Sequence, residues 1–272
     1  MTGSPGVGKS TLATELVRAA RRRERTVAVL AVDPTSPFTG GALLGDRLRM
    51  QDHATDPGVF IRSMATRGHL GGMALAVPEA VRTLDAAGFD EVIVETVGVG
   101  QAEVDVAAAT DTTLVVVAPG WGDAIQVAKA GILEIADVFV VNKADREGAD
   151  AAARDLQQMI RMGPPSAWQP PVVRTVAASG EGVDELWAVV EQHRAHLGSS
   201  GAIEQDRRAR LVREVQALAT ERLGRRLGRL LDEAPALAED LLARRTDPYA
   251  AASALAERAS RDRSGAAEGG DR

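Results

Sequence analysis

The chain has 272 residues, 45% hydrophobic and 26% charged, with a net charge of −6, which is the balance of a globular protein with room for one large domain and an appendage. That acidic balance argues against nucleic acid held on a broad basic surface, and the absence of cysteine excludes disulfides, thiolate metal sites and a Cys nucleophile. No apolar run approaches the ~18 residues of a membrane helix, and no leader precedes the first motif, so a cytoplasmic protein without membrane or nucleic-acid partners is expected.

Gly3-Ser4-Pro5-Gly6-Val7-Gly8-Lys9-Ser10 matches G-x-x-x-x-G-K-[ST] in full. The glycines let backbone N–H groups curl around a diphosphate, and the helical pattern at 10–23 points its positive end at the anion. In this pattern Lys9 reaches the β and γ phosphates and the Ser10 hydroxyl takes Mg²⁺. The expected phosphate contacts are Gly3, Ser4, Pro5, Gly6, Val7, Gly8, Lys9, Ser10 and Thr11, with Lys9 also catalytic. Only Lys9, Lys129 and Lys143 are lysines among 32 basic residues. Amid so many arginines, a slim stem with a point charge points to places where a planar fork would not serve.

A phosphate loop of this kind is carried on a strand, yet only Met1 and Thr2 precede Gly3. The first, normally central strand is therefore expected to be missing. Each buried polar group left unpaired beside the gap costs roughly 1–3 kcal/mol, against about 5–15 kcal/mol for a domain's whole margin. The expectation is an N-terminally truncated chain, from a mis-assigned start or a partial gene, that folds poorly as given.

Further along, β-rich runs at 26–32, 91–95, 113–117, 138–141 and 172–176 alternate with helical patterns at 73–87, 124–136, 149–162 and 183–196. Such alternation predicts an α/β fold, with a mostly parallel sheet flanked by helices. The first run ends in Asp33, a carboxylate placed to hold a Mg²⁺ water, and a glycine-rich stretch carrying Asp46 follows. Glycine suits a segment that rearranges with a nucleotide. In Glu95-Thr96-Val97-Gly98-Val99-Gly100-Gln101, Glu95 and Gly98 stand where a D-x-x-G switch has its Asp and Gly. Glu95 would hold a Mg²⁺ water, the Gly98 N–H would sense a γ-phosphate, and Gln101 would orient the attacking water. The loop from Gly120 to Gln126, with Lys129 beyond it, either reports nucleotide state to a partner or is capped by Asp123.

The run at 138–141 delivers Asn142-Lys143-Ala144-Asp145 at its C-terminal end, where parallel sheets bind ligands. This resembles the N-K-x-D signature of GTPases, in which the Asp carboxylate accepts from guanine N1 and the exocyclic amine. Adenine offers no such donors, so GTP is expected over ATP. After the next strand, Val176-Ala177-Ala178 stands where such families place a Ser-Ala-x turn, with the Ala177 N–H expected to meet guanine O6. Gly198-Ser199-Ser200-Gly201 reads as a linker. Beyond it Leu211, Val215, Leu218, Leu223, Leu227, Leu230 and Leu231 recur at helical spacing, and Pro235 ends or kinks that helix. The divisions expected are a nucleotide domain at 1–197, a helical arm at 198–262 and a disordered tail at 263–272. His53, His69, His193 and His196 show no ligand spacing and read as surface residues.

Together these segments resemble the MeaB/ArgK family of P-loop GTPases. The resemblance rests on V-D-P-T-S-P-F-T-G-G-A-L-L-G-D-R-L-R-M (32–50), I-R-S-M-A-T-R-G-H-L-G-G (61–72), E-T-V-G-V-G-Q-A-E-V (95–104) and K-A-G-I-L-E-I-A-D-V-F-V-V-N-K-A-D (129–145). It implies a GTPase chaperone of an adenosylcobalamin-dependent acyl-CoA mutase, usually methylmalonyl-CoA mutase, that gates cofactor loading and protects the mutase. It also implies slow GTP hydrolysis stimulated by that partner and Mg²⁺ contacts at Ser10, Asp33, Asp46 and Glu95. A mobile switch at 120–129, a dimerising arm and no cobalamin on this chain complete the expectation. Two alternatives stand beside it. One is a metal-insertion GTPase, which the lack of cysteine disfavours; the other is an ATP-using kinase of a transport-system binding protein, which Asp145 disfavours.

Overall fold

The computed structural model describes residues 1–33, 53, 55–65, 72–96, 109–120 and 135–261. In chain order these give α1 (Lys9–Arg22), β1 (Val27–Asp33), β2 (Val59–Ala65), α2 (Gly72–Ala86), β3 (Glu91–Thr96), β4 (Leu114–Val117) and β5 (Val138–Asn142). Then follow α3 (Ala149–Met162), β6 (Val172–Thr175), α4 (Val183–Ser200), α5 (Ala202–Asp232), α6 (Pro235–Leu242) and α7 (Pro248–Arg261). Among the described residues the paired strands β1 to β6 run parallel, in two groups ordered β2-β1-β3 and β4-β5-β6. The chain divides into two compact units, Met1–Leu211 and Val212–Arg272.

Successive side chains of a strand point to opposite faces, and the valine-rich runs supply apolar groups to both. Val27 and Val29 of β1, Val116 of β4 and Val140 of β5 pack with Leu12, Leu16 and Val17 of α1 and Leu186 of α4. On the other face Ala28, Leu30 and Val32 meet Val77 and Leu84 of α2. There too, Val115, Val117, Phe139 and Val141 meet Ala152, Ala153 and Leu156 of α3. Parallel strands need cover on both faces, and each large side chain so buried contributes roughly 1.5–3 kcal/mol. The α/β architecture read from the sequence is the one that forms.

Between the two groups of strands lie Met1 and Thr2. The Thr96 N–H donates to the Met1 carbonyl (3.1 Å), the Thr2 N–H to the Leu114 carbonyl (2.9 Å) and the Val116 N–H to the Thr2 carbonyl (2.8 Å). Thr2 pairs in parallel with Val115, and the Thr96 hydroxyl donates to the Thr2 hydroxyl at 3.1 Å. Two residues thus stitch β3 to β4 and lead straight into Gly3, pairing ladder groups on both strands.

Three local features differ from expectation. Strand β2 lies outside the β-rich runs because Arg62 and Ser63 interrupt its apolar pattern, and its neighbour among the described residues is β1. Residues 198–200 are not a linker: they finish α4, where the Ser199 and Ser200 hydroxyls donate back to the His196 carbonyl (3.1 and 2.8 Å). Gly201, at φ 70°, is the left-handed cap that ends the helix. His53 and His193 are not surface residues but buried. His193 is 2% exposed, with Nδ1 2.9 Å from Thr112 Oγ1 and Nε2 3.4 Å from Asp137 Oδ1. Its ring lies against Trp168, whose indole N–H donates to the Asp137 carbonyl at 2.8 Å. Burial pushes the imidazole pKa down, with the Asp137 carboxylate opposing the shift.

The second unit, taken by itself, is helical. Pro235 opens α6, and the Asp247 carboxylate accepts from the Tyr249 and Ala250 N–H groups (2.8 and 2.9 Å), capping α7. Leu230, Ala251 and Ala259 are buried, whereas Val212, Val215 and Leu223 of α5 are 62%, 66% and 52% exposed.

Candidate functional site

The phosphate loop is held open by its own backbone. Gly8, at φ 97°, sits at the N-cap of α1 in the left-handed region, which glycine alone enters freely. It also has no room for a side chain, since a Cβ there would lie 2.4 Å from Asn142 Nδ2. The helix that starts here aims its positive end into the loop. The buried Lys9 arches back over the loop, and its ammonium donates to the carbonyls of Gly3 (2.6 Å) and Ser4 (2.9 Å). Pro5, Gly6 and Thr11 are exposed, while Val7 and Ser10 are buried.

Beside the loop, the Ser10 hydroxyl donates to Glu95 Oε1 at 2.6 Å. Both residues are buried, one from the first turn of α1 and the other from the end of β3. A hydroxyl and a carboxylate oxygen this close are hard donors suited to a small divalent cation. Asp33 closes β1 opposite Ala65, but its side chain lies outside the described residues. So do Asp46, Gly98, Gln101, Asp123, Lys129 and His69, and the tail expected at 263–272.

The expected base end is built on β5 and β6. Asn142 closes β5 with 1% exposure, and its amide is committed to the protein. Nδ2 donates to the Val7 carbonyl at 2.8 Å. Oδ1 accepts from the Thr175 hydroxyl and from the Ala177 N–H, each at 3.1 Å. The Ala177 N–H, expected to meet a base oxygen, is therefore turned to Asn142 instead. Lys143 follows at φ 58°, a left-handed conformation that is costly for a residue with a Cβ, and its ammonium donates to the Gly6 carbonyl at 2.6 Å. Asp145 and Ala178 are exposed at this edge. The Ala144 N–H donates to the Thr175 carbonyl (3.0 Å), and the Val176 N–H to the Glu181 carbonyl (3.0 Å). Strand ends, phosphate loop and the two base-end turns are thus sewn into one edge.

Sequence reasoning brought Lys9, Ser10, Glu95, Asn142 and Lys143 to this edge. It missed Thr175, whose only signal is a polar residue ending an apolar strand, and the Thr2–Thr96 pair.

The model of the family described as Methylmalonyl Co-A mutase-associated GTPase MeaB matches residues 1–230. A relative in Pyrococcus horikoshii is 49% identical over 262 residues, spanning 95% of this chain and 83% of its own length. The GTPase ArgK of Escherichia coli is 40% identical over 217 residues, 78% of this chain and 66% of its own. The crystal structure of an LAO/AO transport system kinase aligns with a TM-score of 0.66 at 27% identity, over 94% of this chain and 79% of that one.

Proposed function

Because this chain belongs to the MeaB family of methylmalonyl-CoA mutase-associated GTPases, and is thereby a GTPase, we propose that it serves as a GTP-dependent chaperone of an adenosylcobalamin-dependent acyl-CoA mutase. In this reading the client is of the methylmalonyl-CoA mutase type. The chaperone gates cofactor loading and protects the mutase while binding no cobalamin itself, and the client stimulates its slow hydrolysis. The support for the client is the family's own description.

The observation that carries the nucleotide half is the contact between the two ends of the site, with Asn142 and Lys143 holding the carbonyls of Val7 and Gly6. A triphosphate lies in the loop under Lys9, and its base reaches Asp145, whose carboxylate accepts from guanine N1 and the exocyclic amine. ATP offers no such donors, which separates this reading from that of an ATP-using kinase. With the Ala177 N–H already spent on Asn142, guanine O6 falls to the N–H of Ala178. Gly98 senses the γ-phosphate and Gln101 orients water. Ser10 and Glu95, with Asp33 and Asp46, would hold Mg²⁺, which when bound neutralises charge on the β and γ oxygens.

Residues 1–197 act as the GTPase domain and 198–262 as an arm whose exposed Val212, Val215 and Leu223 pair with a second copy. The protein works in the cytoplasm; among the described residues no helix is long and apolar enough to cross a membrane. The test is GTP turnover by the full chain with and without an acyl-CoA mutase from the same genome. Stimulated turnover and co-purification are expected. No stimulation and no co-purification with any such mutase would defeat the chaperone reading.

A further inference from the structure

On the reading of Ser10 and Glu95 as cation ligands of a GTPase site, we propose that Thr96 is a positioning residue for that cation. Its buried hydroxyl bond to Thr2 fixes the end of β3 against the entrance of the phosphate loop, and so sets Glu95 opposite Ser10.

The two ligands come from different elements, Ser10 from α1 and Glu95 from β3. The 2.6 Å between their oxygens therefore depends on how β3 is held relative to the loop. Thr96 is the last residue of β3, paired in register with Val32 of β1 on one side. On the other side its N–H donates to the Met1 carbonyl at 3.1 Å. Successive side chains of a strand face opposite ways. Glu95 turns to Ser10 on α1, whereas Thr96 lies on the face where Val94 packs with Val77 and Leu84 of α2. There the Thr96 hydroxyl donates to the Thr2 hydroxyl at 3.1 Å. Consecutive residues thus grip the end of β3 from both faces, one to the helix after the loop and one to the residue before it.

Gly3 supplies independent support, because it shows that Thr2 is a firm anchor. A Cβ at Gly3 would lie 2.1 Å from the Val116 carbonyl oxygen, so the chain after Thr2 is pressed directly on β4. Thr2 itself is bonded to Leu114 and Val116 of that strand. Thr2 and Thr96 are 2% and 3% exposed, and a hydroxyl that loses its partner there has no bulk water to turn to. Mg²⁺ demands near-ideal octahedral geometry at about 2.0–2.1 Å, so a small shift of Glu95 is felt by the cation before the nucleotide's own contacts with the loop.

The experiment follows release of a fluorescent GDP from full-length protein across a range of Mg²⁺ and in excess chelator, for the unmodified chain, Thr96→Val, Thr96→Ser and Thr2→Val. Mg²⁺ is expected to slow release from the unmodified chain. Valine at 96 keeps the shape and removes the donor, and is expected to raise the Mg²⁺ midpoint about tenfold. Serine restores the donor and is expected to return the midpoint to within about twofold. Release in chelator is expected to stay within about twofold for all of them. Thr2→Val removes the same bond from the other side, is expected to match Thr96→Val, and decides in its place should that variant not fold. A merely structural role would speed release equally with and without Mg²⁺ and leave the midpoint in place. That outcome, or an equal rise in Thr96→Val and Thr96→Ser, overturns the proposal. Release from the unmodified chain that Mg²⁺ does not alter would instead overturn the cation reading on which it rests.

Discussion

At the C-terminal edge of the strands the chain spends its buried polar groups on one another, whereas along α5 beyond Val212 large apolar side chains face outward. Asn142 commits both ends of its amide within the protein, and Lys9 and Lys143 rest their ammonium groups on loop carbonyls. Val212, Val215 and Leu223 are more than half exposed. Polar groups paired in this way fix one another's positions, and a rigid site loses little affinity to ordering the protein. The second carries exposed apolar surface, and under the proposed function a second copy covers it.

The sharpest way to break the first half of that contrast is Gly8→Ala. The added methyl meets Asn142 Nδ2 at 2.4 Å on a backbone with φ 97°. Left-handed strain and displacement of the amide together cost about 2–3 kcal/mol, on the order of 100-fold in GDP affinity. Titration with fluorescent GDP checks this. Binding as tight as in the unmodified chain would mean that the close packing of loop and amide does not govern the site.

The second half is tested by Val215→Glu together with Leu223→Glu. Exposed positions tolerate such changes to within about 0.5 kcal/mol each, so the thermal midpoint is expected to hold and GDP affinity to stay unchanged. Light scattering at micromolar concentration is expected to move from a dimeric to a monomeric mass. A protein that is monomeric before the substitutions would remove the second copy as the partner of this face.

A smaller effect comes from His193, which is buried on α4. Burial lowers its pKa, with the Asp137 carboxylate opposing. The unfolded ring takes up its proton near pH 6.5 and the buried ring only at lower pH, so between those values the unfolded state binds more protons. Stability conferred by the neutral ring is thus present above about pH 6.5 and is lost as the pH falls through that value. Thermal melts at pH 7.5 and 5.5 are expected to show a larger drop for the unmodified chain than for His193→Gln. Equal drops would show that His193 does not carry the acid sensitivity.

The parts of this molecule legible in the sequence are the parts whose cause is local. The phosphate loop is a run of glycines before a helix, and the core strands are valine runs bounded by turns; both patterns sit within a few residues. Asn142 was legible as the polar end of an apolar strand, but its partners were not. Val7 is 135 residues away, and which of two amide ends faces it is fixed by the Ala177 N–H on the other side. Strand β2 hid behind Arg62 and Ser63, which break the apolar run that marks the other strands. The Gly-Ser-Ser-Gly stretch looked like a linker from composition, yet serine hydroxyls returned to the His196 carbonyl extend a helix. His193 could not be told from a surface histidine without knowing that Trp168 and Asp137 close over it.

In the proposed function the strand edge carrying Asn142 to Asp145 reads guanine above the loop of Gly3 to Ser10. Asp145→Asn tests it most directly, through competitive titration of GDP and xanthosine diphosphate against the full chain. Guanine donates where xanthine's extra carbonyl accepts. The unmodified protein is expected to prefer GDP, and the variant to lose GDP and gain xanthosine diphosphate, reversing the preference. An unchanged GDP affinity in Asp145→Asn would contradict the claim and place the base elsewhere.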